Sequence, residues 1–535
     1  MDLPSVEKKK MNKYVFACSL VASMNSILSG YDTAVLSGAI LYIQDYMKIS
    51  DTESEILMGS INIYCLIGST VAGRISDWIG RRYTIVLAAI IFFVGAFLMA
   101  MAPNYAFLMA GRFVAGIGVG FAFMIAPVYT AEVAPASTRG FFTSFPEIFV
   151  NAGVLLGYTA DFALSPLPTY LNWRLMLGAG AIPAAVLGIA ILFMPESPRW
   201  LVMQGRLGDA RSVLEKTSDS NEEAEIRLAE IKEASGISEH FTDDIVYVPK
   251  GQSNGSGVWK ELLIRPIPEV RKMLIASVGI FFFQQASGID AVVLYSPSIF
   301  RMAGIKSRLS LLGTTMAVGF SKTIFVLVST YLVDSFGRRP LLLTSTMGMI
   351  FCQLLLATGL TVIDNNPDKN LVGVLAVCII MVLTLVAFFS SGLGPITWVY
   401  SSEILPSRLR AQGLSFGVAT NRVVSGVIGM TFISLYKAIT IGGVFFLFAG
   451  VTALSWIFFY LYLPETQGKT LEELETLFEK PKTQGKTLDE LEALFEKPKP
   501  HEENDSENYT IELLTLKSRG DNSKPDREGE GVVSV

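Results

Sequence analysis

Twelve stretches of about twenty predominantly apolar residues follow one another along this chain, and that is the length a helix needs to cross roughly 30 Å of hydrocarbon. Nothing else in the sequence restricts the fold so strongly. Lipid offers no partner to backbone N–H and C=O groups, so only helices and closed barrels can span it. The stretches cover roughly 14–43, 55–77, 83–102, 105–131, 141–163, 174–194, 272–300, 308–333, 341–363, 371–401, 411–436 and 441–463. With 51% hydrophobic and only 17% charged residues, the chain is expected to be an all-α membrane protein rather than a soluble one. The first stretch follows Lys8, Lys9 and Lys10. It is too long for a signal-peptide core and lacks a small-residue cleavage site, so it is expected to stay in the mature protein.

Orientation follows from where Lys and Arg lie, not from the net charge of −5. Basic residues gather on one side: at the N-terminus, at Arg81, Arg82 and Arg139, in the segment after the sixth stretch, at Arg338, Arg339, Arg408 and Arg410, and in the tail. That side is expected to be cytoplasmic, with both termini inside. Arg301, Lys306 and Arg308 break the pattern, since they fall between the seventh and eighth stretches on the opposite side. Cys18, Cys65, Cys352 and Cys378 lie within apolar stretches, which offers no extracellular disulfide framework. The two histidines, His240 and His501, belong to no metal-ligand cluster or catalytic triad, so no metal and no enzyme chemistry is expected. Sequons at Asn254, Asn504 and Asn508 fall on the expected cytoplasmic side, away from glycosylation.

The chain also repeats itself. Gly30-Tyr-Asp32 returns as Gly288-Ile-Asp290, and Asp77-Trp-Ile-Gly-Arg-Arg82 as Asp334-Ser-Phe-Gly-Arg-Arg339. Glu132 and Arg139, seven residues apart, return as Glu403 and Arg410, and Pro195-Glu196 as Pro464-Glu465. Four matches in the same order describe two six-helix halves with a central cavity between them. The expected division is an N-terminal segment 1–13, a bundle 14–196, a linker 197–270, a second bundle 271–463 and a tail 464–535. The linker holds charged amphipathic stretches at 207–215 and 222–233 and a Gly/Ser-rich run at 251–257. In the tail, 466–482 and 483–499 are nearly identical, which reads as a neutral tandem duplication ahead of a polar, disordered end.

The repeated charges have their own mechanics. Arg81, Arg82 and Arg139 can pair with Asp77, Glu132 and Glu196, and Arg338, Arg339 and Arg410 with Asp334, Glu403 and Glu465, fastening helix ends into a cytoplasmic gate. Solvated loop charges would not need the repeated seven-residue spacing.

Longer motifs add a resemblance. Gly73-Arg-Ile-Ser-Asp-Trp-Ile-Gly-Arg-Arg82, Gly111-Arg-Phe-Val-Ala-Gly-Ile-Gly-Val-Gly120, Pro195-Glu-Ser-Pro-Arg-Trp-Leu201, Gln284-Gln-Ala-Ser-Gly-Ile-Asp290, Gly394-Pro-Ile-Thr-Trp398 and Pro464-Glu-Thr-Gln-Gly-Lys-Thr470 together resemble the sugar porter branch of the major facilitator superfamily. Within it, Gly30 to Ala39, Phe145-Pro-Glu147 and Asp290 to Pro297 are most similar to plant polyol/monosaccharide transporters. The resemblance covers roughly 14–475 and implies the major facilitator fold. The glycines at 111–120 lie inside an apolar stretch with no strand before them, so they read as helix-packing positions and not as a nucleotide loop.

An ionisable side chain in the bilayer core costs roughly 2.5–3.5 kcal/mol on insertion scales, so each needs a partner or a function. Asp32, Arg112, Glu147, Asp290 and Lys322 stand out, with Arg422 a sixth that has no evident partner. At 1.5 Å per residue, Asp32 lies roughly 17 Å and Arg112 about 11 Å from the outer ends of their helices, at compatible depths. The resemblance implies that Asp32 and Arg112 form a proton-coupling pair. It also implies that Gln284, Gln285, Tyr295, Trp398 and Asn421 line the substrate site with Glu147 and Asp290. Glu147, Asp290 and Lys322 depart from the broader sugar porter pattern of Gln, Asn and Asn, and Lys322 is expected to neutralise Glu147 or Asp290. Gln284, Gly288 and Tyr295 share one face of an ideal helix. Asp290 does not, and its place in the site needs a break near Gly288.

The expected activity is proton-coupled symport of polyols or monosaccharides, with the proton as coupling ion and no other cofactor. A facilitative uniporter and a non-transporting sugar receptor are the alternatives. The plasma membrane is the expected location; no nucleic-acid partner is implied and no oligomer is required.

Overall fold

The computed structural model describes residues 12–135, 142, 145–218, 220–235, 237, 244–246, 268–367, 371–405 and 409–467. Its first helices are α1 (Lys13–Met24), α2 (Ile27–Met47), α3 (Asp51–Ile79), α4 (Arg81–Ala100), α5 (Tyr105–Val133), α6 (Phe145–Leu164), α7 (Thr169–Ala179) and α8 (Ala181–Ile191). Between the halves lie α9 (Pro198–Met203), α10 (Leu207–Thr217) and α11 (Asn221–Ala234). The second half holds α12 (Pro268–Ala286), α13 (Ile289–Met302), α14 (Arg308–Phe336), α15 (Arg338–Asp364), α16 (Val372–Ser391), α17 (Leu393–Ile404), α18 (Arg410–Ile439) and α19 (Ile441–Tyr462).

Some apolar stretches are built from two helices, so these elements amount to twelve passages long and apolar enough to cross a membrane. The first stretch is interrupted at Asn25 and Ser26, the sixth at Gly180, the seventh at Ser287 and Gly288 and the tenth at Gly392. Side chains such as Ile90, Phe97, Ile182, Val186, Phe351 and Val427 stand exposed on the bundle's outside. In water that surface would drive aggregation, whereas in hydrocarbon it costs nothing.

The repeat is visible in the backbone. Gly80, between α3 and α4, has φ 97° and ψ 166°; Gly337, at the matching place between α14 and α15, has φ 86° and ψ 164°. Only glycine enters that region without strain, and a Cβ at Gly80 would also lie 2.4 Å from Glu196 Oε2. The same short loop thus turns the chain at the same place in both halves.

The two halves meet where α3 packs on α18, α6 on α14 and α2 on α13. Asn12 at the start of the described chain donates its side-chain amide to Lys216 O in α10, and Trp200 Nε1 donates to Asp77 O. The N-terminal end, the linker helices and the Gly80 loop therefore share one end of the bundle. Helices α10 and α11 match the amphipathic stretches read from the sequence, and Leu201, Leu207, Leu214, Ala224 and Leu228 form their small core. The run 251–257, the three sequons, His240, His501 and the duplicated tail lie outside the described residues. All four cysteines are free and buried.

Candidate functional site

Asp32 projects from α2 and Arg112 from α5, and the structure brings them together. Arg112 Nη1 donates to Asp32 Oδ2 at 2.6 Å, with the side chains 0% and 1% exposed. Arg112 Nε also donates to Leu57 O on α3 at 3.3 Å, so one guanidinium ties three helices of the first half. Its Nη2 finds no acceptor among the described residues. Two charges this deep survive only as a pair, and removing one partner typically costs about 3–5 kcal/mol because the other is left buried alone.

The amide residues form a second assembly in the other half, and Trp398 beside them reaches across to the first. Asn421 Nδ2 donates to Gln284 Oε1 at 2.7 Å and Gln285 Nε2 donates to Asn421 Oδ1 at 3.2 Å. Gln284 Nε2 in turn donates to Gly394 O at 2.9 Å, beside the interruption at Gly392. Trp398 lies edge-on to Phe281 of the same half at 5.1 Å and to Phe123 of the first half at 5.5 Å. Buried side-chain amides bonded to one another offer both donors and acceptors, and an aromatic wall beside them suits the C–H face of a sugar or polyol.

Tyr295 stands apart from that group. Its hydroxyl donates to Gly429 O at 2.6 Å and its ring stacks on Phe432 at 4.8 Å. The expectation that Gln284, Gly288 and Tyr295 share one face assumed a continuous helix, and here the structure corrects it. Gly288 is left-handed at φ 81°, and Tyr295 itself is non-helical at φ −111°, ψ 17°. The break needed for Asp290 is therefore present. It opens α13 just ahead of Asp290, whose carboxylate accepts from Ser425 Oγ on α18.

Glu147 accepts at Oε1 from Asn151 Nδ2 at 3.2 Å. Lys322 on α14 is within electrostatic reach of Glu147, Asp290 and Arg422. Among the described residues it makes no ion pair with either acid; it shares their surroundings without closing on one of them. Arg422, left without a partner by the sequence, crosses between the halves. Its Nη1 donates to Asn62 Oδ1 on α3 at 3.2 Å and its guanidinium lies 4.4 Å from the centre of the Phe123 ring.

At the end that holds the linker, Arg81 bonds Glu132 through Nε and Nη2 at 2.9 and 3.1 Å and pairs with Asp77 at 3.1 Å. Arg338 does the same with Glu403, at 3.2 and 2.9 Å. Glu196 and Glu465 depart from the expected scheme. Instead of taking an arginine side chain, Glu196 accepts the backbone N–H groups of Arg81 and Arg82, and Glu465 those of Arg338 and Arg339. The first N–H groups of a helix have no partner within it, so a carboxylate there satisfies them and meets the positive end of the helix dipole. The Arg82 and Arg339 guanidinium groups are likewise redirected, to Leu192 O and Tyr460 O at the ends of α8 and α19. Arg410 Nε donates to Leu405 O. Arg139 and the Asp334 side chain lie outside what is described. All these clamp contacts join helices within one half.

Three residues escaped the sequence reading. Asn62 and Ser425 are ordinary polar residues that gain meaning only from Arg422 and Asp290 across the fold. Asp161 is a charged residue in an apolar stretch, the signal used for the others. It is buried, accepts from Gly38 N–H at 3.1 Å and leaves Oδ1 without a partner among the described residues. Among those residues, no group of three or more His, Cys, Asp and Glu is placed to hold a metal.

A sequence profile of the family described as "Sugar (and other) transporter" matches residues 18–478. Putative polyol transporter 1 of Arabidopsis thaliana is 61% identical over 467 residues, 87% of this chain and 91% of its own. Polyol transporter 5 of the same plant is 61% identical over 469 residues, 88% of this chain and 87% of its own. Among solved structures, the proton:xylose symporter XylE bound to 6-bromo-6-deoxy-D-glucose superposes with a TM-score of 0.70 at 28% identity, covering 88% of this chain and 100% of that one. The xylose transporter XylE from E. coli in a partially occluded inward open conformation gives 0.71 at 27% identity, over 86% and 100%.

Proposed function

Because the chain belongs to the sugar (and other) transporter family, within the major facilitator fold, we propose that it is a proton-coupled symporter that carries polyols, and monosaccharides with them, by alternating access. The observation that carries this reading is the buried Asp32–Arg112 pair. Arginine holds Asp32 while it is ionised; protonation frees it and lets α2 move relative to α5, so proton and substrate bias the same equilibrium. Polyols are the first choice of substrate because the relatives at 61% identity are named polyol transporters and because Glu147, Asp290 and Lys322, which share one electrostatic neighbourhood, depart from the Gln, Asn and Asn of the broader sugar porter pattern. The clamp end faces the cytoplasm, as the basic residues imply, and the plasma membrane is the proposed site. The proton is the only coupling ion proposed, and the two halves of one chain suffice for the cycle.

A uniporter is the second reading, favoured by one feature. Arg112 is also tied to Leu57 O, as it would be in a permanent structural salt bridge. Uptake of labelled sorbitol, mannitol, inositol, xylitol and glucose into transport-deficient cells, with and without a protonophore, separates them. Accumulation abolished by the protonophore is expected, and Asp32→Asn is expected to leave equilibration without accumulation. Full protonophore-sensitive accumulation by the Asn variant would refute the proton role, and absence of any uptake by the parent would refute transport of these substrates.

A further inference from the structure

At the end opposite the clamps three acids of the first half, Asp45, Asp51 and Glu55, meet donors of the second. Asp45, in the last turn of α2, pairs with Arg308 at the start of α14, and the same guanidinium lies 5.2 Å from the centre of the Tyr42 ring. Asp51, first residue of α3, pairs with Lys437 in the last turn of α18. One turn further along α3, Glu55 is 2% exposed and accepts twice from one residue, Ser434 N–H at Oε1 and Ser434 Oγ–H at Oε2, both at 2.6 Å. Beneath them α3 and α18 touch almost backbone to backbone, with a Cβ at Gly59 falling 2.6 Å from Met430 N. Tyr158 of α6 donates to Val293 O of α13 at 2.6 Å.

These contacts are unequal. Both ion pairs are about half exposed, where such pairs contribute little and are screened by salt. Glu55 has given up water for two hydrogen bonds that exist only while α18 lies against α3, and an unsatisfied buried carboxylate is costly. The stretch of α18 that answers Glu55 also carries Gly429 and Phe432, the contacts of Tyr295. A residue that holds Ser434 therefore holds the support of Tyr295.

We propose that Glu55 is the positioning residue that latches the mouth opposite the clamps, with Asp45–Arg308 and Asp51–Lys437 as its rim, and that its release from Ser434 opens that mouth to substrate. The proposal rests on the alternating-access reading for its meaning in transport. It also accounts for one of the three basic residues that break the charge pattern on that side, since Arg308 is there to meet Asp45.

The test uses the full chain with its four cysteines replaced by serine and Val293→Cys as a reporter beneath the latch, labelled in intact cells and in inverted vesicles by a membrane-impermeant thiol reagent. Glu55→Ala is expected to speed labelling from one side about tenfold or more, the worth of a lost hydrogen bond to a charged group, and Ser434→Ala, which keeps the backbone N–H, by less. Asp51→Asn should speed it about two- to fivefold, as an exposed pair predicts, and the exchanged pair Asp51→Lys with Lys437→Asp should restore the parent rate. High salt should erase the Asp51 effect and leave that of Glu55. Parent-like labelling in both Glu55→Ala and Ser434→Ala would overturn the proposal. Labelling needs no substrate, so a latched reporter in a chain that moves no polyol would count against the transport reading alone.

Discussion

A lysine in the middle of a spanning helix costs about 2.5–3.5 kcal/mol unless its surroundings compensate, and at Lys322 the nearby charges of Glu147 and Asp290 offset only part of the cost of burial, with no ion pair closed on either. An ammonium held in this way keeps donors free for a hydroxyl-rich ligand, whereas one locked on a carboxylate does not. Lys322→Asn is therefore expected to change the ratio in which polyols and hexoses compete for uptake by about tenfold, the worth of one charge-assisted hydrogen bond. Unchanged competition would remove Lys322 from the substrate site. At this scale the sequence was informative at Asp32, Arg112, Glu147, Asp290 and Lys322, because charges in an apolar stretch are too costly to be incidental, and the same signal was passed over at Asp161. It was silent on Asn62, Ser425 and Glu55. The first two are common polar residues, and Glu55 reads as part of a capped helix start, where Ser50 and Glu53 do form a capping box.

Among the elements, the repeated loops show how far an internal repeat carries. Gly80 and Gly337 adopt one conformation, and Glu196 and Glu465 cap the following helices alike. Their electrostatics nonetheless differ. Burial raises the carboxyl of Glu196 above its ordinary value, and the backbone N–H groups of Ser197, Arg82 and Arg81 only partly offset it. At Glu465 burial also pushes upward, but the N–H groups of Gln467, Arg338, Arg339 and Thr466 prevail and its carboxyl titrates below the ordinary value. A lowered acid contributes stability above its unfolded pKa of about 4.3 and loses it as pH falls through the folded value; a raised acid contributes in the opposite sense, most below its unfolded value and less as pH rises through its folded one. Thermal melts at pH 7 should accordingly show Glu465→Gln less stable than the parent and Glu196→Gln close to it, with the gap narrowing on acidification below the ordinary carboxylate range. Equal losses in both variants would contradict the assignment. The repeat implied that the two acids would act alike, but not that one would be buried more deeply.

For the whole molecule, the clamps at one end and the acid-to-base contacts at the other act differently. The described clamp contacts hold helices together within each half, while Asp45, Asp51 and Glu55 hold one half to the other. Closure at that second end depends on how nearly α3 approaches α18, and Gly59 sits at the crossing. Gly59→Val should keep the halves apart there, speeding thiol labelling at Val293→Cys several-fold and slowing uptake; an unchanged labelling rate would show that this crossing is not the closing contact. The sequence by itself determined the all-helical spanning fold, the twofold repeat and which charges would lie inside the bundle, because hydrophobic length, charge in lipid and repeated spacing are local properties that few folds can satisfy; the pairing of Asp32 with Arg112 it reached only through a family resemblance. Only the tertiary structure decided that Glu196 and Glu465 cap helices, that Gly288 breaks the seventh stretch, that Arg422 reaches Asn62 and that Arg308 answers Asp45. Each of those depends on which distant helix lies opposite, and a side chain's partner across a bundle is set by packing that no local pattern encodes.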